Sequence, residues 1–274
     1  MPEAGGLAYR EALPDGWSGE GPTALLLHGF PNSSHLYRDV LPAVAGAGWR
    51  AIAPDLPGTG DSPPDRPATW ERMVEAVERF RTALGLERVA LVVHDWGGLI
   101  GLRWACDHPD GVGALVVSNT GFFPEGRWHG MAQIMRTEGK GEELVDALTR
   151  DGLGALLKQL SPGVTDEDVG EYWRGFADED RRHSHLDLYR SGDFEKLEPY
   201  RGRLAALSVP TLVLWGETDE FAPVAGAYRF HKEIPGSRLV VLEGVGHFLM
   251  EDAPERVAEE VAGFLRSIPG QPPG

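Results

Sequence analysis

The chain has 274 residues, which suits one large domain or one domain with a long insertion. Its 42 acidic side chains outnumber 26 basic ones, and the net charge of −16 argues against nucleic acid or an anionic membrane as partner. No apolar run approaches the ~20 residues of a membrane span, and a single cysteine, Cys106, excludes an internal disulfide and a Cys-based zinc site.

From the N-terminus, "MPEAGGLAYREALPDGW" has no basic patch followed by an apolar core, so no secretory signal is expected and a cytoplasmic location is. Within it, "LAYREAL" (7–13) reads as an antiparallel edge strand. Then come short Val/Leu/Ile runs that end at Gly, Asp or His: 23–30, 50–58, 88–96, 113–121, 210–219 and 237–247. Most are apolar at successive positions, the pattern of a strand buried on both faces of a parallel sheet. Helical patterns lie between them at 69–86, 98–108, 223–234 and 254–268. Alternating strand and helix predicts an α/β fold, a mostly parallel sheet flanked by helices. From 121 to 207 no such strand appears, and the pattern is helical and polar with scattered Trp, Tyr and His. That interval is too long for a loop. It reads as an inserted helical cap, which divides the core into 1–120 and 208–270 and leaves 271–274 as a disordered tail.

Functional side chains in such sheets gather at the C-terminal ends of strands. Those ends offer His28, Asp55, Asp95, Asn119, Asp219 and His247. His28 and Asp55 read as structural ties between neighbouring loops. The remaining order, Asp95 then Asp219 then His247, follows the nucleophile, acid, histidine order of the α/β-hydrolase triad. Glu217 and Glu220 are alternatives to Asp219, and Asn119, an amide, reads as a holder of backbone.

The motifs "HGFP" (28–31), "APDLPGTGDS" (53–62), "HDWGG" (94–98), "WGETDEFAP" (215–223) and "GHFLMEDAPE" (246–255) span nearly the whole chain. Together they resemble the aspartate-nucleophile branch of the α/β-hydrolase superfamily, which holds epoxide hydrolases and haloalkane dehalogenases. Val93 stands where the general elbow motif has its first glycine. An aspartate nucleophile suits a saturated carbon, because the ester it leaves can be cleaved by water at the enzyme's own carbonyl. A serine would leave an inert ether. On this reading Asp95 attacks, His247 deprotonates the hydrolytic water and Asp219 orients the imidazole. The resemblance implies backbone N–H groups of Phe30 and Trp96 as oxyanion donors.

Two leaving groups remain open. An epoxide oxygen needs a proton, and the resemblance places Tyr189 of "DLYRSGD" late in the cap to supply it, with Tyr172 or His129 as its second partner. A halide wants N–H donors instead: Trp96, and Trp128 as a substitute where Met135 occupies the expected position. Epoxide hydrolysis is the first expectation and dehalogenation the second. A non-catalytic small-ligand receptor or pseudoenzyme is the reading from another class. No cofactor and no metal are expected, since no phosphate-binding glycine motif or metal-ligand spacing is present. The expected partner is a small apolar electrophile in a pocket lined by Phe30, Trp96, Phe122, Trp128 and Phe248. Oligomeric state is not legible.

Overall fold

Side chains alternate across a strand, so a run that is apolar at every position needs cover on both faces. In the computed structural model, which describes residues 1–268, both faces are covered. Leu25, Leu27, Leu91 and Val93 enter one core layer, while Ala24, Leu26, Ala90 and Val92 enter another. The strands are β1 (Glu3–Ala4), β2 (Leu7–Ala12), β3 (Thr23–Leu27), β4 (Arg50–Pro54), β5 (Val89–His94), β6 (Val112–Ser118), β7 (Thr211–Gly216) and β8 (Arg238–Leu242). They form one sheet in the order β1-β2-β4-β3-β5-β6-β7-β8. The span from β4 to β8 is parallel, and β2 lies antiparallel to β4. This is the mostly parallel α/β architecture that the sequence predicts.

One expectation is corrected. Leu7–Ala12 is not the edge, because the two-residue β1 pairs outside it, Glu3 against Ala8 and Ala4 against Leu7. Two residues are too few to show a period.

Three helices precede β6: α1 (Val40–Ala45), α2 (Trp70–Ala83) and α3 (Trp96–Asp107). Between β6 and β7 run α4 (Gly130–Arg136), α5 (Lys140–Ala147), α6 (Arg150–Leu160), α7 (Asp166–Trp173), α8 (Glu179–Ser191) and α9 (Arg203–Ala206), with short 3-10 turns. Four of these helices start on side-chain caps, in which His129, Thr149, Thr165 and Asp178 each accept a backbone N–H three residues on. After β7 come α10 (Ala225–Glu233), α11 (Leu249–Asp252) and α12 (Pro254–Arg266). Val40 and Leu41 of α1 and Val257 and Val261 of α12 cover one sheet face. Residues of α2, α3, α8 and α10 cover the other. The expected tail at 271–274 lies outside the described residues. Among the described residues, no helix is long and apolar enough to cross a membrane.

The turn from β5 into α3 positions the site. Asp95 sits at φ 49, ψ −123, a conformation costly for a residue with a Cβ. It is held there on both sides: Asp95 N–H donates to Asn119 O (3.2 Å), and the Thr120 hydroxyl donates to Asp95 O (2.6 Å). Gly97 lets α3 start against β3, since a Cβ there would lie 2.1 Å from the Leu27 carbonyl oxygen. Gly263 of α12 has nothing within 4 Å of that position. Thermal melts should therefore separate two glycine-to-alanine changes. Gly97→Ala is expected to cost about 3 kcal/mol through forced backbone movement, and Gly263→Ala to add about 0.5–1 kcal/mol of stability. Equal effects would remove close approach as the reason for Gly97.

Candidate active site

Five strand ends deliver the polar groups. Gly29 and Phe30 follow β3, Asp95 follows β5, Asn119 follows β6, Asp219 follows β7 and His247 follows β8. Gly29 permits the contact between the first two, because a Cβ there would fall 2.2 Å from Asp95 Oδ1. That oxygen accepts the Phe30 N–H at 2.7 Å. The other, Oδ2, lies 3.6 Å from His247 Nε2. His247 Nδ1 donates to Asp219 Oδ2 at 2.8 Å. Asp219 is fully partnered: Asn119 Nδ2 donates to the same oxygen at 2.6 Å, and the Phe221 and Ala222 N–H groups donate to Oδ1 at 2.7 and 2.9 Å. Glu217 is taken up by the Gly244 N–H, so Asp219 is the acid that meets the imidazole.

Charge follows from this geometry. Burial alone would lower the His247 pKa, but the charges of Asp219 and Asp95 overcome it and raise the pKa to about 10. Burial would likewise raise Asp95, and His247 outweighs that, holding the carboxyl below its ordinary range. The resting arrangement is an imidazolium between two carboxylates. The His94 ring lies tilted beside it, ring centres 4.9 Å apart. Burial and the neighbouring His247 charge lower His94 to about 4, so it stays neutral and hydrogen-bonds His247 O at 2.9 Å.

The other expected residues divide. Tyr189 is buried, and its ring packs edge-on against Phe30 and Trp96 at 5.4 and 5.2 Å. It lines a cavity of about 90 Å³ that also exposes Asp95, His247, Phe30, Phe248 and His129. A wider chamber of about 350 Å³ meets Asp95 from the other side, again with Tyr189 and His129 in its wall. Burial, followed by the Asp95 charge, raises the Tyr189 pKa well above its usual value, so the hydroxyl keeps its proton. His129 Nδ1 accepts the Ala132 N–H at 3.4 Å, capping α4, and burial lowers its pKa.

Tyr172 is not in the site. Its hydroxyl donates to Glu251 and its ring is buried with Leu153 and Leu157. Trp128 lines the wider chamber, but its indole N–H is spent on Gly192 O at 2.8 Å. Trp96 is 1% exposed and lies behind Tyr189, not on the cavity wall. Its Nε1 has no hydrogen-bond partner of good geometry, although the nearby indole favours the Tyr189 phenolate slightly. Phe122 lines a separate groove beside Tyr200. His28 and Asp55 are structural, as expected: His28 Nε2 accepts the Leu56 N–H, and Asp55 accepts those of Ser34 and Asp61. Phe221 was not anticipated. It stands between the rings of His129 and His247, 4.9 and 5.1 Å from each. Its only signal was adjacency to Asp219. Among the described residues no group of three or more His, Cys, Asp or Glu side chains could hold a metal ion.

Residues 22–254 match the family model described as the alpha/beta hydrolase fold. The chain belongs to that family, on its dehalogenase-like branch. It is 32% identical over 262 residues to a haloalkane dehalogenase of Psychrobacter cryohalolentis, covering 89% of this chain and 84% of that one. The crystal structure of the haloalkane dehalogenase DbeA from Bradyrhizobium elkani superposes with a TM-score of 0.82 at 27% identity, covering 96% of this chain and 94% of DbeA. That of an epoxide hydrolase from Vigna radiata superposes with a TM-score of 0.78 at 26% identity, covering 97% and 96%.

The charge arrangement has a measurable consequence. The folded pKa of His247, about 10, exceeds the unfolded value near 6.5. Its stabilisation is therefore complete below about pH 6.5 and is lost progressively as pH rises towards 10. Between pH 7 and pH 10 the wild-type melting temperature should fall by roughly 5 °C more than that of His247→Gln. Identical slopes would mean that the native imidazole holds no extra proton.

Proposed function

We propose that this hydrolase is an epoxide hydrolase that works through an alkyl ester on Asp95, with residues 121–207 as the cap over its site. The observation that carries this reading is which donor side chains line the cavity. Tyr189 does. The groups a departing halide would need do not: Trp96 Nε1 is walled off, Trp128 Nε1 is occupied, and Phe30 offers no side-chain donor.

In the first step one Asp95 carboxylate oxygen bonds to an epoxide carbon. The carbon–oxygen bond of the ring breaks, and the oxygen takes the Tyr189 proton. Phenol suits this role because its pKa is close to what an alkoxide can exploit while the group stays protonated at neutral pH. Esterification removes the Asp95 charge. One of the two carboxylates that hold the His247 proton is then gone, so the imidazole pKa falls, the proton is released to solvent and Nε2 becomes a base. In the second step Nε2 takes a proton from water, whose oxygen attacks the Asp95 ester carbon. The Phe30 N–H stabilises the oxyanion. On collapse the alkoxide leaves with the proton from His247, giving the diol. Asp95, first formed as the acid, ionises and restores the Tyr189 phenol, and with the Asp95 charge back His247 takes up again from solvent the proton it had released. The sum is epoxide plus water to vicinal diol.

A second reading, haloalkane dehalogenation, is favoured by the full-length similarity to dehalogenases and by the unsatisfied Trp96 Nε1. It shares the Asp95 ester and needs Tyr189 to swing aside.

Three variants test the proposal. Asp95→Asn should abolish turnover of terminal epoxides while the protein stays folded. With epoxide present, His247→Gln should gain the mass of one substrate. A single turnover of the wild type in heavy-oxygen water should label the Asp95 peptide, and an unlabelled peptide would mean direct attack by water. Tyr189→Phe should slow epoxide opening by roughly 10²-fold or more and bromide release far less. Were bromoalkanes the better substrates with Tyr189→Phe unimpaired, the dehalogenase reading would replace this one. Absence of any covalent adduct in His247→Gln would instead point to a receptor.

A further inference from the structure

Leu153, Leu156, Leu157 and Leu160 of α6 all line the inner cavity. Their spacing, i, i+3, i+4 and i+7, makes one continuous stripe on that helix. Met131 and Met135 of α4, with Val145 of α5, line it too. Every polar group of this cavity belongs to the reacting end: Asp95, His247, Tyr189 and His129. Past them the wall is aliphatic, apart from the aromatic rings beside Asp95.

The cavity also has an outer end. Leu144 and Leu148 line both it and an open surface groove that includes Ile134, Ala147, Lys140 and Glu143. Ile134 and Leu144 are among the few large apolar side chains left exposed, at 43% and 37%. Exposed apolar side chains at a cavity mouth fit an apolar ligand that passes through it.

Resting on the epoxide reading above, we infer that the substrate carries an unbranched alkyl chain, which lies along the α6 leucine stripe and leaves between Leu144 and Leu148. The lining past the reacting end runs along one helix as a single leucine stripe, which favours a straight chain over an aryl or branched group. The flexible methionines opposite the stripe suit a ligand without fixed shape. From Leu153 to Leu160 the stripe runs about 10 Å at 1.5 Å rise per residue, the extended length of roughly eight carbons.

Two chain-length series test this. Terminal epoxides from four to ten carbons should show kcat/KM rising about threefold to fourfold per added methylene, the transfer value of one CH₂. The rise should continue to about eight carbons, and styrene oxide should fall well below the eight-carbon epoxide. In Leu148→Trp, at the partly exposed doorway, the gain should stop at shorter chains. A flat series, or preference for styrene oxide, overturns the inference. The second series uses 1-alkanols from butanol to decanol as ligands of the wild type, read by melting temperature. Binding that tightens with length supports the alkyl channel even if no epoxide is turned over, and that combination refutes only the proposed reaction. Binding independent of length refutes the channel, whatever the reaction.

Discussion

One imidazole lies between two carboxylates, and much of the molecule serves to keep it there. Three charges in a buried place are unstable unless each is compensated. Asp219 is compensated by the His247 ring, one amide side chain and two backbone N–H groups. Asp95 has the Phe30 N–H and the His247 charge, and it alone keeps 22% of its side-chain surface open. The unequal provision fits the roles proposed for them. The acid with every lone pair engaged is suited to orient. The one with an open flank can react. Asn119 joins the two, since its side chain donates to Asp219 and accepts the Gly216 N–H while its carbonyl accepts the Asp95 N–H.

The strand runs were legible because a two-sided core demands apolar residues at every position, and the charged positions were legible because they terminate those runs. What escaped had specific physical causes. The helix after Asp95 was read from 98 and begins at Trp96, because Gly97 and Gly98 are poor helix formers. They are present for the approach to Leu27 and Thr120, which no local rule can show. Helix α1 is six residues with a proline inside, too short for a period. Tyr172 failed as a site residue for a tertiary reason. Spacing placed it on a cap helix, but the partner of its hydroxyl, Glu251, lies 79 positions away. Trp128 does line the wider chamber, but not as a donor, because its N–H is claimed by the Gly192 carbonyl. Asp95, Asp219 and His247 could be picked out because strand order alone brings their turns together.

Tyr172 has a different place in the molecule. Arg38 makes a two-pronged contact with Glu251 at 3.1 and 2.7 Å and reaches Asp168 at 3.2 Å. His35 hydrogen-bonds the same Asp168 at 2.7 Å, and the Tyr172 hydroxyl donates to Glu251. Glu251 is four residues beyond His247, His35 and Arg38 follow the Phe30 loop, and Asp168 and Tyr172 belong to α7. This buried network therefore ties three segments together: the one that follows Phe30, the one that carries the imidazole, and the helical insertion. Taking one partner away would strand a buried charge, commonly worth about 3–5 kcal/mol. Such a network fixes geometry more surely than it adds stability.

The apolar cavity and the charged cluster depend on each other. Coulomb energy grows as water is excluded, so the leucines of α6 that accept an alkyl chain also strengthen the hold of Asp219 and Asp95 on the imidazole. Conversely, beside that apolar wall the hydrogen bonds of Asp219 come from fixed backbone groups and Asn119. With Trp96 behind Tyr189 and the Trp128 N–H engaged, the phenol is the donor that the proposed reaction uses to accompany a bond as it breaks. The sequence supplies several aromatic rings around this point, and packing decides which polar ones are left without a partner.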